Sequence, residues 1–171
     1  MTPYPVSIES FLRSGCFGPV ELGMRRDELE ALMGMPEAWS GRGRSPVYYK
    51  AEIWCWGNLE FYLPTERGRP TAQDQLRMVF TDYVSPIRGG DGFVIDPWVL
   101  NGELTLEQAI CALNAAEIAH REDNVAVGDY IRLRVGCGVV LTFAQRDGPS
   151  YEPEGPVVFQ CLAYSKPRRT S

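Results

Sequence analysis

The sequence predicts an α+β protein in which two tandem units, each a helix followed by an antiparallel meander, form one continuous curved sheet with helices on one face. Three observations predict this. Each half carries a helix signal, at 23–34 and at 104–115. Each helix is followed by segments that alternate apolar and polar residues, the period of a half-buried strand. The same elements also return in the same order at nearly constant spacing. Leu29 and Ile110 stand 81 positions apart, as do Tyr83 and Tyr164; Cys55 and Cys137, Leu59 and Leu141, and Phe61 and Phe143 stand 82 apart. The 171 residues then read as one domain of two repeats, about 1–84 and 85–171.

The elements follow in order. "SIESFLRSG" (7–15) reads as a short helix with Ser7 as its N-cap. In "GMRRDELEALMG" (23–34), Leu29, Leu32 and Met33 supply an apolar stripe, and Asp27 and Glu28 suit the positive end of the helix. In "VYYKAEIWCW" (47–56), Val47, Tyr49, Ala51, Ile53 and Cys55 share one face of a strand, and Tyr48, Lys50, Glu52, Trp54 and Trp56 the other. Gly57-Asn58 marks a hairpin turn. A two-residue turn sets Trp54 opposite Phe61; a three-residue loop ending at Leu59 sets Trp54 opposite Tyr62. The second register is preferred, because it separates Ile53, Cys55, Phe61 and Leu63 from Trp54, Trp56, Glu60 and Tyr62.

"LRMVFTDY" (76–83) is the next strand, and "SPIRGGDGFVIDPWVLNGE" (85–103) reads as the connection between halves. "GGDGF" (89–93) resembles a phosphate loop only superficially and is read as a turn, since no strand-Gly-x-Gly-helix context surrounds it. Thr105 and Gln108 form a capping box for the second helix, whose stripe is Leu106, Ile110, Leu113 and Ala116. Ile131, Leu133, Val135 and Cys137 then alternate with Tyr130, Arg132 and Arg134. Leu141, Phe143, Val157, Phe159 and Cys161 complete the inward set, beneath the helices. Two long loops, 64–75 and 145–156, rich in Pro, Gly and charge, join the second and third strands of each half.

Composition narrows the function. A net charge of −5 argues against nucleic acid as partner and suits a partner with a basic surface. No apolar run is long enough for a membrane span, and "MTPYPVSIES" lacks the pattern of a secretory leader, so a cytoplasmic protein is expected. The five cysteines are dispersed, with no Cys-x-x-Cys pair, and are expected to be reduced and mostly buried. The single histidine, His120, has no cysteine at ligand spacing, so no metal and no cofactor are expected. Glu52 and Glu60 lie about 13 Å apart along the preferred hairpin, too far for a glycosidase pair.

The repeat order resembles the β-lactamase-inhibitor-protein architecture. In that family a repeat opens with a phrase of the form G-M-x-x-x-E-L-x-x-L-M-G-x-P, which Gly23, Met24, Glu28, Leu29, Leu32, Met33, Gly34 and Pro36 match. The second half keeps the helix and strands and has "NAAE" (114–117) in place of the Gly-x-Pro ending. Single-repeat relatives of this architecture occur in small outer-membrane assembly lipoproteins. The wording of "FGPVELGM" (17–24) and "IWCWGNLEFYL" (53–63) is also similar to small bacterial proteins grouped with toxin-immunity proteins. The resemblance implies a curved sheet whose concave face and loops bind another protein.

The candidate site follows from the residue types on the face away from the core. Tyr48, Trp54, Trp56, Glu60, Tyr62, Tyr83, Arg132, Arg134 and Tyr164 are expected there. Trp, Tyr and Arg dominate interface hot spots. Trp54, Trp56 and Tyr62 are the expected anchors, with Glu60 and Arg132 setting orientation. The function expected is a non-enzymatic, immunity-type inhibitor that occludes its partner. The alternatives are a homodimer using the same face, and a small-molecule binder or hydrolase.

Overall fold

The computed structural model of the protein describes residues 2–40, 48–65, 71–81, 86–101, 103–123, 130–145 and 157–165. Strand β1 (Tyr4–Ser7) leads into α1 (Ile8–Ser14), and α2 (Arg26–Met33) precedes β2 (Ala38–Ser40), β3 (Ile53–Trp56), β4 (Leu59–Tyr62) and β5 (Met78–Thr81). Strand β6 (Phe93–Asp96) and α3 (Leu106–Ala115) follow, then β7 (His120–Glu122), β8 (Tyr130–Val135), β9 (Val139–Gln145) and β10 (Val157–Ser165). Among the described residues, three helices and one large antiparallel sheet make this an α+β protein. The sheet has eight strands in the order β2-β3-β4-β5-β10-β9-β8-β7. Each half supplies a helix and a four-stranded meander, and the meanders join through their last strands, β5 and β10.

Local chemistry explains the helix starts. Ser7 Oγ accepts from Ser10 N at 3.4 Å at the head of α1. Thr105 and Gln108 close the box expected at α3: Gln108 N donates to Thr105 Oγ1 at 3.2 Å, and Thr105 N to Gln108 Oε1 at 3.0 Å. At α2 the N-cap is Arg25, which has no acceptor, so Glu28 Oε2 takes the Arg25 N–H at 2.8 Å and Asp27 Oδ1 takes the Glu28 N–H at 2.9 Å. The two caps, Arg25 and Thr105, stand 80 positions apart, as do the buried pairs Leu29 and Ala109, and Met33 and Leu113. The corresponding helix positions are thus 80 apart, where 81 was expected. Cys55 and Cys137 are not equivalent, because Cys55 lies within β3 and Cys137 in the turn between β8 and β9.

The β3–β4 hairpin takes the register that was not preferred. Trp54 pairs with Phe61 and Trp56 with Leu59, so the turn is the two residues Gly57-Asn58. Gly57 has φ +60, the conformation that favours glycine at the first central position of a II′ turn. That register sends Trp54 (0% exposed) and Trp56 (2%) into the core and turns Ile53 and Cys55 outward. The physical reason lies in the indole edges. Trp54 Nε1 donates to Tyr48 O at 2.8 Å, and the Arg26 guanidinium sits 5.1 Å over the Trp54 ring, so this large ring is buried without losing its polar contact.

Phe11, Phe17, Phe61 and Phe93 form a chain of ring contacts on the same side, with Phe61 and Phe93 stacked at 5.8 Å. Leu29, Met33, Ala109 and Leu113 from α2 and α3 join this cluster. All three helices thus contribute to the side that carries the tryptophans.

Arg26 pins α2 to this core although it is charged and 3% exposed. Its Nη1 donates to Ala51 O at 2.8 Å, its Nη2 to Leu63 O at 3.2 Å, and Nη2 lies 3.5 Å from Asp74. Burial lowers the Arg26 pKa, and Asp74 opposes that shift.

The segment expected only to connect the halves does more. Its β6 pairs in parallel with β1, Tyr4 opposite Phe93. "GGDGF" is a turn, bridged from Gly89 to Phe93, and it clasps the hairpin. Asn58 N donates to Arg88 O at 3.0 Å, Asn58 Oδ1 accepts from Arg88 N at 2.7 Å, and the Glu37 carboxylate accepts from Gly57 N at 2.9 Å and from Asp91 N.

Candidate functional site: the outer face of the sheet

Pairing fixes which side chains share the face opposite the core, since directly opposed residues project to the same side. One row crosses all eight strands: Ala38, Cys55, Glu60, Phe80, Ala163, Val140, Arg134 and Arg121. Flanking it are Ile53, Tyr62 and Met78 on one side of the sheet and Arg132, Thr142, Tyr130 and Ala144 on the other. Thr142 is buried; every other residue named here is half-buried or exposed. The face is apolar at its centre, with a carboxylate on β4 and arginines on β7 and β8.

The expected site residues divide sharply. Glu60, Tyr62, Arg132 and Arg134 lie on this face. Tyr62 Oη donates to Glu60 Oε2 at 2.5 Å, which fixes both on β4. Trp54 and Trp56 are core residues, for the reason given above. Tyr48 lies in a 3-10 turn, Tyr48–Lys50, where a strand was expected. Its hydroxyl bonds Glu30, which holds the phenol above its ordinary pKa, and its carbonyl caps Trp54.

Tyr164 is also displaced from the outer face. A bulge between Phe159 and Cys161 shifts the register of β10 by one residue. Tyr164 then pairs with Val79 and Val139, on the core side, where its ring meets Phe11 edge-on at 5.3 Å. Burial raises its pKa. Cys161 falls in register with Thr142, an outer-face position, where the inward side was expected. Tyr83 lies outside the described residues.

Sequence reasoning missed Ile53, Met78, Phe80 and Val140 as outer-face residues. For Ile53 the signal was present in Gly-Asn, whose preference is for two-residue turns, which carries Ile53 outward with Tyr62; Met78 and Phe80 are set outward by the register of β5 on β4. Cys55 belongs with them, and burial pushes its thiol up to about 11, with Glu60 adding to the shift. The expectation of mostly buried thiols is also corrected. Cys16 and Cys111 are exposed, Cys55 and Cys137 half-buried, and all four are free.

Cys137 Sγ lies 3.2 Å from Leu12 O, and His120 Nδ1 lies 3.0 Å from Ile118 O. Glu52 accepts from Thr65 Oγ1 at 2.8 Å, away from Glu60. An open groove of about 590 Å³ runs beside α1, lined by Ser7, Ser10, Ser14, Cys16, Val94 and Asp96 among others. Of its lining, Ser14 Oγ donates to Ser10 O at 2.8 Å, and Asp96 Oδ1 accepts from Trp98 N at 3.0 Å.

Among the described residues no helix is long and apolar enough to cross a membrane. No family model, curated protein or solved structure matched the chain.

Proposed function

We propose that this protein is a non-enzymatic binding protein that occludes a partner protein with the outer face of its sheet, in the manner of an immunity-type inhibitor. One observation supports the reading above the others. The helices and the aromatic core lie on one side of the sheet, and the other side carries Ile53, Tyr62, Met78, Phe80 and Val140, all in partial contact with solvent. Contiguous apolar residues on a face rimmed by charge favour a protein partner. The mirrored element order of the two halves supports a tandem duplication of the kind the β-lactamase-inhibitor-protein architecture implies.

The anchors change from those first expected. With Trp54 and Trp56 in the core, Tyr62, Phe80 and Val140 become the central contacts, and Glu60, Arg132 and Arg134 the charged rim. The test is a Phe80→Glu/Val140→Glu variant, checked for native near-ultraviolet circular dichroism and assayed beside wild type for capture of protein from the native host. The reading expects a specific captured protein that the folded variant loses. Identical capture by both would contradict it.

A further inference from the structure

We propose that the arginine cluster at the β7–β8 end of the outer face docks a carboxylate-rich segment of the partner protein. This rests on the outer face being the binding surface and specifies what one end of it recognises. Arg121 on β7 stands directly opposite Arg134 on β8, and Arg132 lies two residues along the same strand face. Directly opposed side chains on neighbouring strands have Cβ atoms about 5 Å apart, and like charges there destabilise the sheet. Residues two apart on a strand are separated by about 7 Å. The three guanidinium stems therefore rise from one small patch.

Among the described residues the patch carries more arginines than paired carboxylates. Asp123 binds Arg134, with Oδ2 2.5 Å from Nη2 and 3.1 Å from Nε. Among the described residues Arg121 and Arg132 form no ion pair, although both lie close enough to help depress the Asp123 carboxylate below its usual range, a shift led by Arg134. Among the described residues, three guanidinium groups stand against the one bonded carboxylate, on a chain whose net charge is −5. Arginine binds carboxylates with paired, planar hydrogen bonds, so a further carboxylate has ready donors here.

The neighbours favour a protein over a nucleic acid. Val140, Ala144 and Tyr130 adjoin the arginines and offer apolar contacts to side chains. The positive region is confined to one end, and Glu60 holds the row four strands away, about 19 Å across the sheet. A phosphate backbone tracking this face would meet that carboxylate. Although the acidic net charge suits a basic partner, this end of the face suits an acidic one.

The test uses a fluorescein-labelled hexaglutamate peptide as probe, with binding followed by anisotropy in low and physiological salt. The variant is Arg121→Glu/Arg132→Glu, which keeps the Arg134–Asp123 pair; Arg121→Gln/Arg132→Gln is the milder companion should the double reversal unfold. The expected result is binding to wild type that weakens several-fold with salt and at least tenfold in either folded variant. A Phe80→Glu variant, altered three strands from Arg134, is expected to keep most of its affinity for the peptide, which separates failure of this site from failure of the whole face. Equal binding by wild type and arginine variants, or no binding to either, would overturn the proposal. Tighter binding of a single-stranded oligonucleotide of matched charge would assign the cluster to phosphates and overturn it. So would a wild-type dimer that the arginine variants dissociate, since the cluster would then meet a second copy of the chain.

Discussion

At the scale of single residues, the energetics follow from which side of β3 each side chain takes. Trp54 is enclosed, with its Nε1 on Tyr48 O and Arg26 over its ring. Trp54→Ala is expected to cost about 3–5 kcal/mol, as large-to-small core changes do, whereas Phe80→Ala on the outer face should cost about 1 kcal/mol. Urea unfolding monitored by far-ultraviolet circular dichroism measures both. Equal costs would place the two rings in equivalent surroundings and contradict the register.

Cys55 supplies a second prediction at this scale. Its thiol is pushed up to about 11, so little thiolate forms near neutrality, whereas reaction with a maleimide requires the thiolate. At pH 8, peptide mapping by mass spectrometry should show Cys55 labelled at least about tenfold more slowly than the exposed Cys16 and Cys111. The rate at Cys55 should climb as pH rises toward 11, because deprotonation is what limits it.

These residues also show what the sequence withheld. The alternation around Trp54 was plain, but the choice of face was not, because tryptophan suits both a core and an interface. The deciding partners, Arg26 and the Tyr48 carbonyl, are 28 and 6 positions from Trp54, and the sequence alone did not pair them with it.

At the scale of elements, legibility tracked locality. The caps at Ser7 and at Thr105 with Gln108 act within one turn, and both were readable. The β1–β6 pairing joins residues about 89 positions apart, and it was read as connection. The bulge in β10 is a one-residue irregularity that reverses every side chain beyond it, which is why Tyr164 was assigned to the wrong face.

The β3–β4 turn is where local and distant constraints meet. Gly57 holds φ +60, and a Cβ there would stand 2.2 Å from Arg88 O. Gly57→Ala should therefore destabilise by about 1–3 kcal/mol, through backbone strain and displacement of the 86–91 segment. Hydrogen exchange would locate the effect: protection should fall at Asn58 and at Phe93, whose amide is bonded to Gly89 O. Loss of protection at Asn58 alone would show that the clasp is not coupled to β6.

At the scale of the whole molecule, the two meanders present one surface. The transverse row from Ala38 to Arg121 crosses from the first half to the second at Phe80 and Ala163, so a partner lying along it would contact both halves. Glu60 and Arg134 would then report from opposite ends of one interface. The surface as a whole was partly legible: the alternation implied a second face, and Glu60, Tyr62, Arg132 and Arg134 were assigned to it correctly. Its apolar residues were not, because Ile53 turns outward only with the two-residue turn and Phe80 only through the β4–β5 register, which no local signal fixes.

The most direct measurement replaces Phe80 with a photo-crosslinking phenylalanine analogue, with Glu107 on the exposed side of α3 as the control position, and irradiates the protein in its native host. The account predicts a crosslink from position 80 to a different polypeptide, absent from position 107. Crosslinking of position 80 only to a second copy of the chain, or equal crosslinking from both positions, would contradict it.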